Sequence, residues 1–226
     1  MDPLARVIDH TLLKPEATAD DIRQLVQQAV RHRFASVCVH GKWVALVAEL
    51  LQQAGAAAGD APVKTCAVAG FPLGAAKSSV KAMEAVTAVK DGAQEIDMVI
   101  ALDTLIAGDL EAARADVFEV VHAARAVWRP VVVKVILETA ALTEAQIALG
   151  CQAAREAGAD FVKTSTGLHP KGGATEQAVL WLKKYAQGLA IKAAGGIRDR
   201  ATAEKYVALG ASRIGTSNGV AICHGT

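Results

Sequence analysis

The sequence predicts an α/β fold, a single-domain (β/α)8 TIM barrel covering residues 1–226, on three observations. Short β-rich runs recur at near-constant spacing through the chain. Amphipathic helical stretches lie between them. Three of the helix-to-strand junctions repeat the same Gly-Ala pair, as one duplicated supersecondary unit would.

In order, a first strand is expected over residues 7–11. The helix after it opens at Thr18-x-x-Asp21, a capping pattern, and carries Ile22, Leu25, Val26, Ala29 and Val30 along one face. Further strands are expected at 36–40, 64–68, 95–100, 131–136, 161–165, 191–194 and 213–217. From 36 onward, their starts are 28, 31, 36, 30, 30 and 22 residues apart, the length of one strand, one helix and two short loops. A second cap, Thr143-x-x-Gln146, opens the helix before residue 161. Gly92-Ala93, Gly158-Ala159 and Gly210-Ala211 end helices, where glycine supplies the left-handed conformation. A doubly wound sheet would call for GxGxxG after its first strand, and the chain has none. Gly70-Phe-Pro-Leu-Gly74 lacks the GK[ST] of a nucleotide loop.

Composition narrows the functional classes. With 24 Lys+Arg against 23 Asp+Glu, no general electrostatic case exists for nucleic acid or anionic membrane. A 52% hydrophobic share with 21% charged residues fits an ordinary globular chain. The start MDPLARVIDH has no cationic segment leading into an apolar run, so no signal peptide is expected, and no window is long and apolar enough to span a bilayer. Cys38, Cys66, Cys151 and Cys223 stand far apart, which reads as reduced thiols and a cytoplasmic location. Six histidines without an HxxxH pair give no metal signal.

Strands of a parallel barrel should be nearly continuous apolar runs. Asp97, Lys134, Lys163 and Lys192 break that rule on four different strands. Asp97 follows Gly92, and Lys163 follows Gly158, by five positions each, so the two stand at equal depth and point the same way, into the barrel. One buried lysine reads as a snorkelling or salt-bridged side chain, and Lys64 at a strand start keeps that reading. Three lysines with one aspartate, and Glu138 just beyond a strand end, leave the cluster short of negative charge. Two ammonium groups about 5 Å apart at an effective dielectric near 20 repel by roughly 3 kcal/mol, about two pKa units. One lysine is therefore expected to become a free amine, able to attack a carbonyl and form a Schiff base, with the carboxylate as proton-transfer partner.

After the last two strands the chain turns glycine-rich, at Ala194-Gly195-Gly196-Ile197-Arg198 and Ile214-Gly215-Thr216-Ser217-Asn218-Gly219. Those are the positions where (β/α)8 barrels commonly bind phosphate, with Ser217 and Arg198 as added donors. The residues point to a small phosphorylated carbonyl substrate.

These motifs resemble the deoxyribose-phosphate aldolase family of class I aldolases. The likeness runs from Asp9-His-Thr-Leu-Leu-Lys-Pro15 through Phe71-Pro-Leu-Gly74, Glu95-Ile-Asp-Met-Val99 and Lys134-Val-Ile-Leu-Glu-Thr139. It continues through Phe161-Val-Lys-Thr-Ser-Thr-Gly167, Lys192-Ala-Ala-Gly-Gly-Ile-Arg198 and Arg213-Ile-Gly-Thr-Ser217. The resemblance implies reversible cleavage of 2-deoxy-D-ribose 5-phosphate to acetaldehyde and D-glyceraldehyde 3-phosphate, with no cofactor and no metal. It makes Lys163 the Schiff-base lysine, Lys192 the lysine that keeps it deprotonated, and Asp97 the proton-relay carboxylate. Lys134 and Thr164 become further pocket residues, and Gly167, Gly195, Gly196, Arg198, Gly215, Ser217 and Asn218 the phosphate end. A homodimer or homotetramer is expected, with small phosphorylated sugars and aldehydes as the other partners.

Cys38-Val-His40-Gly41-Lys42-Trp43 departs from the family's usual Asn-Pro turn, so His40 and Lys42 are expected to alter the pocket rim. Asn218 replaces a common serine, Leu168-His169-Pro170 lengthens a loop, and the C-terminal tyrosine extension of longer members is missing. The competing readings are another Schiff-base phosphosugar aldolase of transaldolase type, a metal-assisted enzyme using His10, His40 or His169, and a non-catalytic sugar-phosphate-binding barrel.

Overall fold

The computed structural model describes residues 2–58 and 63–225; Met1 and Thr226, the limits of the expected domain, lie outside the described residues. Eight parallel strands pair in chain order: β1 Ile8–Leu12, β2 Ser36–Val39, β3 Lys64–Ala69, β4 Glu95–Val99, β5 Val132–Ile136, β6 Phe161–Lys163, β7 Ala190–Ala194 and β8 Arg213–Thr216. β1 pairs with both β2 and β8, which closes the barrel and leaves no edge.

The α-helices are α1 Ala19–His32, α2 Val44–Ala58, α3 Ser78–Lys90, α4 Leu102–Ala107, α5 Leu110–Val127, α6 Glu144–Glu156, α7 Glu176–Tyr185, α8 Arg200–Leu209 and α9 Gly219–His224, with short 3-10 turns at Pro3–Val7, Gly41–Trp43 and Thr139–Ala141. The widest strand spacing, between β4 and β5, holds both α4 and α5. Both capping boxes form: the Thr18 hydroxyl accepts from Asp21 N, and Thr143 does the same for Gln146. Gly92, Gly158 and Gly210 take φ of +105°, +80° and +120°, the conformation that lets each helix turn back into a strand.

Alternation along the strands divides the interior in two. Ile8, Val37, Val39, Ala67, Ile96, Met98, Val133, Val135, Val162, Ala193 and Ile214 face the helices and join the main apolar core. The intervening residues face the barrel axis, where only Cys38, Cys66 and Val68 form a small apolar cluster. Beside it lie the charged Asp9, Glu95, Asp97, Lys134, Lys163, Lys192 and Arg213, with Val99 and Ile136 buried on the same face. The β6 strand is shorter than expected: Thr164 is buried beyond its end, its hydroxyl bonded to both the carbonyl and the amide of Ala194 at 3.0 Å.

One helix pair fixes a loop at the barrel mouth. Lys81 on α3 is fully buried and reaches both oxygens of Asp116 on α5, at 3.1 and 2.9 Å. Asp116 also accepts from Ser78 Oγ at 2.7 Å and Ala101 N at 2.9 Å, so its charge is fully partnered. The Lys81 stem packs against Gly70, where a Cβ would lie 3.0 Å from it, and Glu84 accepts from Gly70 N at 2.6 Å. That clamp sets the direction of Phe71, the next residue.

Candidate active site

Strand register brings the interior charges together. Asp97 on β4 stands opposite Lys134 on β5, Lys163 on β6 opposite Lys192 on β7, and Lys192 opposite Arg213 on β8. Asp97 sits at the centre. Its Oδ1 accepts from Lys134 Nζ at 2.8 Å and the Cys66 thiol at 3.2 Å. Its Oδ2 accepts from Lys163 Nζ and Lys192 Nζ, each at 2.7 Å. Both carboxylate oxygens are thus saturated by buried donors.

The cluster is larger than the sequence suggested. Asp9 on β1 lies 2.5 Å from Lys192 Nζ and 3.8 Å from Lys134 Nζ, and Glu95 on β4 lies 2.7 Å from Lys134 Nζ. Arg213 closes the network below, donating to Asp9 and to both oxygens of Glu95 at 3.1 and 2.6 Å. Among the described residues, four cations (Lys134, Lys163, Lys192, Arg213) therefore meet three carboxylates (Asp9, Glu95, Asp97). One positive charge is left over.

These contacts set the protonation of the bound groups. Burial alone would raise the Asp97 carboxyl, but Lys134, Lys163 and Lys192 outweigh it and hold it well below the usual carboxylate range. Asp9 is likewise lowered, against burial, by Lys192, Lys134 and Arg213. Burial disfavours the Lys192 ammonium, yet Asp9 and Asp97 raise its pKa above the ordinary lysine value. Lys134 is raised for the same reason, chiefly by Asp97. Cys66 is pushed up by burial and remains a thiol.

Access separates the three lysines. Lys134 and Lys192 are 0% exposed, whereas Lys163 is 3% exposed and lines a cavity of about 420 Å3 at the C-terminal end of the strands. The same cavity is lined by Gly167, Gly195, Gly196, Arg198, Gly215, Ser217 and Asn218, the whole predicted phosphate end. Gly215 does a second job: a Cβ there would meet Lys192 Cε at 3.1 Å, so its absence makes room for that stem. Thr164 and Lys134 do not line the cavity; the first braces β6 to β7 and the second lies in the charge layer beneath.

Thr11, Leu13, Lys14, Phe71 and Thr166, none of them among the expected site residues, also line the cavity, as does Leu168 of the lengthened loop. Glu138, in a left-handed conformation at φ +59°, holds the β6 loop by accepting from the Thr166 hydroxyl at 2.5 Å. His40 and Lys42 line a separate cavity of about 730 Å3 that shares the Phe71 wall. His40 Nε2 also lies 3.1 Å from the Leu13 carbonyl, so it touches the rim of the lysine cavity indirectly.

Cys38, Cys66 and Asp97 bring three potential metal-ligand atoms within 4.8 Å of one another. Lys134 Nζ already contacts two of them, Cys66 Sγ at 3.4 Å and Asp97 Oδ1 at 2.8 Å, and an ammonium in that place excludes a second cation. His10 and His169 are engaged elsewhere, with Gln28 and with Lys171 N. The donor set does not fit a resident metal.

Comparison with known proteins agrees with this geometry. Residues 4–225 match the DeoC/LacD family aldolase. A deoxyribose-phosphate aldolase of Halalkalibacterium halodurans is 46% identical over 98% of this chain and 95% of its own length. One from Carboxydothermus hydrogenoformans is 46% identical over 98% of this chain and 94% of its own. A tetrameric deoxyribose phosphate aldolase from Aeropyrum pernix superposes with a TM-score of 0.88 at 37% identity, covering 98% of this chain and 89% of that one. A closed barrel carrying a lysine at the floor of a glycine-rimmed cavity, matched along nearly its full length, places this chain in the DeoC/LacD family of aldolases.

Proposed function

We propose that this aldolase cleaves 2-deoxy-D-ribose 5-phosphate reversibly to acetaldehyde and D-glyceraldehyde 3-phosphate through a Schiff base on Lys163. The observation that carries the reading is that Lys163 alone of the three interior lysines lines the cavity, with the glycine-rich loops and Arg198 on the same wall.

In the cleavage direction the free amine of Lys163 adds to the C1 carbonyl, and with uptake of one proton water leaves, giving an iminium ion. The C3 hydroxyl loses its proton and the C2–C3 bond breaks. Its electron pair moves into the iminium to form an enamine, and D-glyceraldehyde 3-phosphate departs. Protonation of the enamine carbon and addition of water release acetaldehyde and restore the amine. The iminium is the electron sink, so the steps balance without a cofactor.

The surrounding residues fill defined roles in that scheme. Lys192 stays cationic because Asp9 and Asp97 favour its charge, and it shares Asp97 Oδ2 with Lys163. Asp97 is within 2.7 Å of Lys163 Nζ, in reach of any proton that nitrogen gains or loses. Its low pKa makes it a transient acceptor and otherwise the counter-ion of the site. At the far end, Gly167, Gly195 and Gly196 expose backbone at φ of +84°, +97° and +81°, and Arg198 and Ser217 add donors for phosphate.

A cytoplasmic location belongs to the same proposal, supported by four free thiols; no helix among the described residues is long and apolar enough to cross a membrane. So does a homodimer or homotetramer, supported by exposed Leu73, Val80 and Met83 and by the tetrameric relative.

Borohydride reduction in the presence of acetaldehyde tests the mechanism. An ethyl group on the peptide that holds Lys163, absent in Lys163→Arg, is the expected result. Labelling elsewhere, or equal turnover of ribose 5-phosphate and deoxyribose 5-phosphate, overturns the assignment.

A further inference from the structure

The charge layer under Lys163 contains two residues that the aldolase chemistry does not touch. Arg213, at the start of β8, donates two hydrogen bonds to Glu95, at the start of β4, and a further one to Asp9. Neither Arg213 nor Glu95 lines the lysine cavity. Both nevertheless belong to the network that ends at Lys163, through Lys134, Asp97 and Lys192.

Every strand contributes to that layer. Asp9 comes from β1, Cys38 from β2, Cys66 from β3, Glu95 and Asp97 from β4, Lys134 from β5, Lys163 from β6, Lys192 from β7 and Arg213 from β8. Without Arg213 the layer would hold three lysines and three carboxylates, a balanced count. With Arg213 the count is four to three, and one of the four cationic side chains has the fewest carboxylate contacts. That group is Lys163, which shares a single oxygen with Lys192. Arg213 itself stays ionised, because Asp9 and Glu95 outweigh the cost of its burial.

We propose that Arg213 and Glu95 are positioning residues that set the net charge beneath Lys163 and thereby the pH at which the aldolase becomes active. Arg213 supplies the surplus positive charge and Glu95 limits it to one. The proposal rests on the Schiff-base reading above and assigns it a tuning device at the opposite end of the barrel.

The test exploits the sign. Loss of a salt bridge as a structural element would move Arg213→Met and Glu95→Gln alike. Loss of its charges moves them in opposite directions. The rate of borohydride trapping with acetaldehyde is followed against pH for the wild type, Arg213→Met, Arg213→Lys and Glu95→Gln. A unit charge about 10 Å away at an effective dielectric near 20 is worth roughly one pH unit. The acid limb is therefore expected to rise by about one unit in Arg213→Met, fall by a similar amount in Glu95→Gln, and stay in place in Arg213→Lys.

The measurements are repeated in a Cys38→Ala background, because that thiol, drawn down by its hydrogen bond to Cys66, is the other group able to take up charge. Opposite shifts that persist there support the proposal. Shifts of the same sign, or none, overturn it while leaving the Schiff base intact. A wild type that is not trapped at all overturns both. Should Arg213→Met fail to fold, a downward shift in Glu95→Gln with none in Arg213→Lys carries the test, and any other pattern refutes it.

Discussion

Lys163 and Lys192 place their Nζ nitrogens on one oxygen, each 2.7 Å from Asp97 Oδ2. They stand opposite each other in the β6–β7 register, so the shared contact is built into the strand pairing and not into flexible loops. The two nitrogens are held about 5 Å apart at most, where unit charges at an effective dielectric near 20 repel by roughly 3 kcal/mol. Of the two, only Lys192 has a second carboxylate beside it, Asp9 at 2.5 Å, which favours its charge.

Replacing Lys192 by Leu removes that repulsion and one of the four interior cations. The remaining three cations face three carboxylates, and the surplus proton has no reason to leave. Activity near neutral pH is expected to fall about a hundredfold, with the acid limb of kcat/KM displaced upward by about two pH units. Partial recovery at alkaline pH separates this from a folding defect. An unchanged profile would remove the electrostatic role of Lys192.

How far the site was legible in the sequence follows from the same spacing. Asp97 and Lys163 lie five residues after Gly92 and Gly158, and both face the axis as that spacing implied. Glu95 and Arg213 lie three residues after Gly92 and Gly210, which puts them one layer lower on the same face. Their strand-start positions look like ordinary polar ends, as Lys64 does, and a strand start gives no sign of which side a partner will come from. Asp9 was hidden differently: its link to Lys192 joins β1 to β7 and depends on closure of the barrel. The repeating β-rich runs and helix-ending glycines carried the fold, because both are local properties of the chain. Lys81 and Asp116 show the limit, since a lysine in the middle of a helix pattern is normally a solvent-facing residue.

The layer also predicts how stability varies with pH. Asp9 and Asp97 are held below their ordinary values when folded, so they bind protons more weakly in the native chain than in the unfolded one. Their contribution is complete above the unfolded value of about 3.9 and is lost as pH falls toward the folded values. Lys134 and Lys192 are raised, so their contribution is complete below about 10.4 and lost only above it. Tm is expected to be flat between about pH 5 and about pH 9 and to drop steeply below about pH 4. Asp9→Asn, which takes one carboxylate away from Lys192, Lys134 and Arg213, should cost about 3–5 kcal/mol on the plateau. A melting series in which Tm holds steady down to about pH 2 would contradict the picture.

The glycine-rich end of the lysine cavity is held by backbone packing that tolerates no side chain. At Gly195, with φ of +97°, a Cβ would lie 2.8 Å from Gly173 Cα and 3.2 Å from Gly167 Cα. Gly173 faces the same restriction, since a Cβ there would lie 2.3 Å from the Gly195 carbonyl oxygen. The Ala174 amide donates to that carbonyl at 3.1 Å, so the loops after β6 and β7 are stitched together at their closest approach. Gly195→Ala forces them apart and adds the strain of a left-handed alanine, about 1–2 kcal/mol. The damage is expected to fall on the proposed phosphate end and to spare Lys163. KM for deoxyribose 5-phosphate is accordingly expected to rise at least about tenfold, a change of roughly 1.4 kcal/mol in binding. Borohydride trapping with acetaldehyde, which carries no phosphate, should keep its wild-type rate. Equal losses in both assays would mean that the glycine contact supports the whole barrel mouth and not the anion end in particular.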